Sequence, residues 1–209
     1  MRPRGWIVGI ISVALLLAGS VAAFFFKSEI DAIRSSSAHR LETARAPSFS
    51  LTERNGRTVT DGDLKGRVWV ADFIFTNCEG PCPILSAGMR GLQDALSPDW
   101  PVTLVSFTVD PERDSPMVLS AYADRFGADP DRWLFLTGET DQIYRVIQDG
   151  FRLAVAPPEG SDQVLHSLRW VVVDSEGRIR KMYDGTEEGV HGKVMKELKQ
   201  LVAEARQGV

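Results

Sequence analysis

A chain of 209 residues has the length of one domain with additions, and 44% hydrophobic with 25% charged residues is the composition of a globular protein. The formal net charge is −4, and setting aside Arg2 and Arg4 leaves 22 basic against 28 acidic residues. That balance argues against nucleic acid as a partner, because binding phosphates needs a basic surface.

Two arginines stand in Met1–Arg4, and Gly5 to Phe26 then runs 22 residues without a charge. As a helix this run is about 33 Å long, at about 1.5 Å per residue, enough to cross a hydrocarbon core of roughly 30 Å. Trp6 lies near one end, as interfacial aromatics do. The arginines belong on the cytoplasmic side, which puts the rest of the chain on the periplasmic or extracytoplasmic side. Val21-Ala22-Ala23 also offers the small residues of a signal-peptide cleavage site, although the run is longer than the usual h-region of about 7–15 residues. Residues 1–26 therefore read as a membrane anchor or signal segment, 27–46 as a polar tether and 47–209 as the folded domain. His39, in the tether, reads as an exposed linker histidine, since one histidine without ligand-type neighbours makes a poor metal site.

The domain opens with Phe49-Ser50-Leu51-Thr52, alternating like a short strand, and Asn55-Gly56 predicts a hairpin. Val68 to Phe75 is apolar apart from Asp72, the pattern of a strand buried on both faces. After the cysteines, Ile84, Leu85, Met89, Leu92 and Leu96 form one face of a helix, with Pro83 in its first turn; Gly88 and Gly91 mark close packing. Val102 to Val109 is a second buried strand, followed by the charged loop Asp110-Pro111-Glu112-Arg113-Asp114. Such a loop is usually solvated, and its role reads as structural or docking. Ser115-Pro116 caps a helix ending near Gly127.

Trp133 to Leu136 is a strand, Thr140 to Gln148 a helix and Phe151 to Val155 a strand. Leu168 to Val173 and Arg178 to Tyr183 form a hairpin about Asp174-Ser175-Glu176-Gly177, and an amphipathic helix spans Glu187 to Arg206. Alternating strands and helices predict an α/β fold, with a mostly parallel sheet and helices on both faces. Active groups in such sheets collect at the carboxyl ends of strands.

Cys78 lies at such an end, and Cys82 lies near the start of the following helix. The helix terminus favours thiolate over thiol, the form that both metals and disulfide exchange require. As a mere staple, a disulfide closing so short a loop is worth only about 2 kcal/mol, against about 4.7 for a 100-residue loop. A structural zinc site wants four ligands, more than two cysteines and one histidine supply. Two thiolates and an imidazole suit Cu(I), a soft ion. His191, beside the last helix, reads as a surface residue; His166, just ahead of a strong strand, is the candidate third ligand. The rival reading is a thiol–disulfide oxidoreductase in which Cys78 attacks and Cys82 resolves. A redox or copper sensor would use the same residues.

Three segments in this order resemble the Sco/SenC family. Phe75-Thr76-Asn77-Cys78-Glu79-Gly80-Pro81-Cys82-Pro83 is similar to its CxxxCP loop, Ser106 through Asp114-Ser115-Pro116 to its strand ending in DPxRD, and His166-Ser167 with Arg169 to Asp174 to its histidine segment. The resemblance covers roughly residues 47–205 and implies a membrane-anchored, thioredoxin-like, copper-binding protein that serves assembly of the copper centre of cytochrome c oxidase. It implies Cys78, Cys82 and His166 as copper ligands, and an acceptor such as cytochrome c oxidase subunit II. Enzymatic activity is implied only if the cysteines also exchange disulfides. Two departures stand out: Leu165 occupies a place where many members have Asp, and no proline lies near Leu168, where thioredoxins set one against their cysteines.

Overall fold

The structure is a computed structural model, described here for residues 44–78, 80–156 and 165–207. The anchor over 1–26, and His39 in the tether, lie outside the described residues; among those described, no helix is long and apolar enough to cross a membrane. Ahead of Pro47, Arg45 forms an antiparallel bridge with Arg178.

The hairpin predicted at Asn55-Gly56 joins β1 (Ser50–Glu53) to β2 (Thr58–Thr60). Gly56 sits at φ 86°, a conformation glycine adopts without the Cβ penalty. A 3-10 turn, Asp61–Leu64, leads to β3 (Val68–Ile74), every residue of which is buried. Helix α1 (Cys82–Ala95) follows, then β4 (Val102–Thr108), α2 (Pro116–Arg125) and β5 (Trp133–Thr137). As expected, the Ser115 side chain caps α2 by accepting the Val118 N–H.

Helix α3 (Thr140–Arg145) runs on into a π turn, Val146–Gly150. The two-residue strands β6 (Val155–Ala156) and β7 (Leu165–His166) pair with each other, apart from the main sheet. β8 (Arg169–Val173), β9 (Ile179–Asp184) and α4 (Val190–Gln207) complete the domain.

The seven-stranded sheet has the order β2-β1-β5-β4-β3-β8-β9. It is mixed, which corrects the expectation of a mostly parallel sheet. Only the strands joined by helical crossovers, β3, β4 and β5, are parallel. The N-terminal hairpin adds antiparallel through β1 to β5, and the C-terminal hairpin adds antiparallel through β8 to β3. Each hairpin closes through its own short turn, whereas its antiparallel pairing with the parallel strands joins residues far apart in sequence. The strand expected over 151–155 is also shorter, because Arg152 takes φ 57° and breaks the extended path.

Both faces of the sheet are covered. On one, Phe49 and Phe151 close edge-on over Phe107 at centroid distances of 5.5 and 5.7 Å, and Phe151 also meets Phe73 at 5.3 Å. Such edge-to-face pairs add about 0.5–1.5 kcal/mol each beyond their burial. On the other, α1 packs against β3 and α4. Gly88 and Gly91 make room there, as the sequence predicts: a Cβ at Gly88 would lie 2.6 Å from the Trp170 ring, and one at Gly91 would lie 3.0 Å from His191 Nε2. His191 forms a hydrogen bond with the Gly88 carbonyl at 2.8 Å and meets the Trp170 ring edge-on, so its role is helix packing.

Asp72, the lone charged residue of β3, is fully buried. Its Oδ1 accepts from Ser106 Oγ at 2.5 Å, and Ser106 Oγ accepts from Trp133 Nε1 at 2.9 Å; Oδ2 has no hydrogen-bond partner. Burial pushes this carboxyl up to about 7, against the smaller opposing effect of the Ser106 hydroxyl.

Two outcomes follow from this packing. Gly88→Ala gains helix propensity of about 1 kcal/mol but drives a methyl into Trp170, and overpacking of that kind costs about 1–3 kcal/mol. Urea denaturation is therefore expected to show net destabilisation. Between its ordinary value and about 7, Asp72 holds a proton in the folded domain that the unfolded chain has released. Its contribution to stability thus falls as pH rises through that window. Asp72→Asn should match the parent near pH 4 and exceed it by more than about 1 kcal/mol at pH 8, read as the difference between paired denaturation curves.

Candidate metal centre

The site is built where β3 ends. Val109 N–H still bonds the Ile74 carbonyl at 2.8 Å, and beyond this last rung the chain turns through Phe75–Cys78 before α1 begins. Cys82 is the first residue of α1 and Pro83 the second, so the expected helix start falls within one residue. Cys78 is 8% exposed, Cys82 is fully buried, and both are free thiols.

His166 arrives from the other side. The pairing of β7 with β6, Val155 opposite His166 and Ala156 opposite Leu165, carries the histidine to the cysteine loop. The donor atoms of Cys78, Cys82 and His166 all lie within 4.8 Å of one another. Cys82 Sγ is 3.4 Å from His166 Nε2. The Phe75 ring stands edge-on to the imidazole at 5.5 Å. His166 Nδ1 is 3.2 Å from the Ser167 carbonyl, a contact that orients Nε2 toward the thiols when Nδ1 carries the proton. The neighbouring backbone thus supplies an orienting acceptor at a place where Leu165 brings no carboxylate.

Burial pushes the Cys82 thiol well up, helped by the hydrogen bond with Cys78, and the Phe75 backbone opposes this only in part. The expected thiolate at the helix start is therefore not favoured at Cys82: loss of water outweighs the helix terminus. His166 is pulled below its ordinary value, first by burial, with the Ser167 carbonyl acting against it. The resting centre is thus poor in charge, and a soft cation would draw the thiol proton off Cys82 on binding.

The donor set fits such a cation. Metal–sulfur and metal–imidazole bonds of about 2.0–2.3 Å place three donors around one ion roughly 3.5–4 Å apart, close to the spacing seen here. Two sulfurs and one nitrogen, largely out of water, match a soft ion of low coordination number.

The charged loop after β4 folds back onto the cysteine loop. Asp114 is fully buried, and its carboxylate accepts from Thr76 Oγ1 at 2.5 Å, from Thr76 N–H at 3.2 Å and from Thr108 Oγ1 at 2.5 Å. Sequence reading assigns this loop a structural or docking role without singling out Asp114; an acidic residue just ahead of a helix cap looks solvated until Thr76 is placed beside it. Glu112 and Arg113 stay exposed, while Asp110 is partly buried.

Comparison with known proteins points the same way. The family model described as SCO1/SenC matches residues 37–203. The SCO1 protein homolog of Bacillus subtilis (strain 168) is 38% identical over 153 residues, covering 72% of this chain and 79% of that protein. The solved structure of BsSco, described as a member of the Sco family of cytochrome c oxidase assembly proteins with a disulfide switch, is 36% identical with a TM-score of 0.70, covering 77% of this chain and 95% of that one. Yeast Sco1 with copper bound is 28% identical with a TM-score of 0.63, covering 75% and 89%. The family match runs through β3, the cysteine loop and the histidine segment alike, and the chain belongs to the SCO1/SenC family.

Proposed function

We propose that this chain is a copper-handling protein of cytochrome c oxidase assembly. Cys78 and Cys82 as thiolates and His166 as a neutral imidazole hold one copper ion as cargo. The observation that carries this reading is the meeting of two sulfurs and one imidazole within 4.8 Å, from segments 84 positions apart. The copper-bound yeast relative and the assembly role described for BsSco support it.

Thiol–disulfide exchange alone would need the two sulfurs and leave the imidazole idle, so the geometry favours copper over the oxidoreductase reading. Delivery proceeds by ligand exchange: an acceptor donor enters as one of the three leaves, and no electron changes hands. The acceptor is cytochrome c oxidase subunit II. The charge-free run Gly5 to Phe26 anchors the domain on the extracytoplasmic side, where a tether raises the effective concentration at a membrane-bound acceptor.

Anaerobic titration of the reduced domain with Cu(I), against a chromophoric competitor, is expected to give one tight equivalent. Cys82→Ser abolishes it, and His166→Ala weakens it by about 10–100-fold; parent-like affinity in both variants would sink the proposal. The same titration carries a pH signature. Each thiol proton displaced makes apparent affinity rise about tenfold per pH unit. Because the His166 pKa is lowered, the imidazole stays neutral as pH falls through the ordinary histidine value, and affinity should show no added break near pH 6.5. A flat profile between pH 6 and 8 would contradict thiolate ligation.

A further inference from the structure

We propose that Asp114 is a positioning residue for Cys78: its buried carboxylate, clasped between Thr108 and Thr76, fixes the turn from which the Cys78 thiol is presented. The copper half of this inference rests on the function proposed above; the half that concerns the metal-free thiol does not.

The contacts point one way. Thr108 is the last residue of β4, and its hydroxyl donates to Asp114 while accepting the Asp110 N–H at 3.0 Å. Asp114 N–H in turn bonds the Asp110 carbonyl at 2.9 Å, so the carboxylate is rooted in the strand end and in its own loop. Its remaining acceptor capacity goes to Thr76, through both the backbone N–H and the side-chain hydroxyl.

Thr76 lies two residues past the end of β3 and two before Cys78. Beyond the Ile74–Val109 rung the sheet no longer holds this segment, and the carboxylate takes over as the acceptor for its backbone. Burying a carboxyl group is costly unless donors surround it, and burial does push Asp114 upward against the Thr108 and Thr76 hydroxyls. An apolar residue could fill the space without that cost. It could not bind an N–H and a hydroxyl of the cysteine loop together, and that paired grip fixes both the position and the orientation of Thr76.

The test uses Asp114→Asn and Thr76→Val, the second nearly isosteric and free of any change to the charge. Each is placed in a Cys82→Ser background, where Cys78 is the sole thiol, and iodoacetamide alkylation is followed in the folded, metal-free protein. Both substitutions are expected to speed alkylation of Cys78 by about tenfold or more, the effect of losing a hydrogen bond to a charged group. With Cys82 restored, both should weaken Cu(I) binding by about 10–100-fold while circular dichroism stays native. Alkylation rates within about twofold of the parent in folded variants overturn the inference, whatever copper does. If Asp114→Asn fails to fold, Thr76→Val decides alone. If the parent chain itself takes up no copper, the proposed function falls, and the alkylation arm still judges Asp114.

Discussion

The parallel pairing of β3 with β4, in unbroken register from Val68 opposite Val102 to Ile74 opposite Thr108, is the constraint on which the site depends. Two strands that start level and run together also end level. The loops that leave them, one carrying Cys78 and the other Asp110 to Asp114, therefore emerge side by side. Fully buried side chains along both strands hold that register, since a slip of one residue would turn every side chain to the opposite face. The chemistry of the thiols is in this sense set by apolar residues several positions upstream.

Burial acts in two opposed ways at this end of the sheet. It keeps Cys82 and His166 uncharged in the metal-free protein, and it leaves Asp72 and Asp114 raised above the ordinary carboxylate range. The two carboxyls are treated differently. Asp114 is met by hydroxyl and amide donors on both oxygens, whereas Asp72 keeps one oxygen without a partner. A buried acceptor left unpaired lowers stability, and in β3 that cost lies in the same strand that leads to the cysteines.

Much of this is legible in the chain alone, and what is not has a physical reason. Local patterns suffice where neighbours in sequence decide the outcome. The apolar run of β3, the Ser115 cap and the Gly88/Gly91 packing face all appear where periodicity and residue type place them. Strand direction is not local: β8 lies antiparallel to β3 across nearly a hundred residues, and no pattern within either strand records that choice. The break at Arg152 is equally hidden, because an arginine gives no warning of a positive φ. As a ligand, His166 rests on resemblance more than on pattern, since only the folded chain brings it 3.4 Å from Cys82.

The three donors are not held alike. Both cysteines are built into the join between β3 and α1, within the buried core of the domain. His166 hangs on β6 and β7, a pair of two-residue strands that share no rung with the main sheet. Among the described residues, separating the imidazole from the sulfurs breaks that small ladder, the Cys82 contact and the Phe75 ring edge, while every rung of the main sheet stays paired. The fold thus seats the two sulfurs and the nitrogen on different foundations: the sulfurs belong to the core, and the nitrogen belongs to a ladder outside the main sheet.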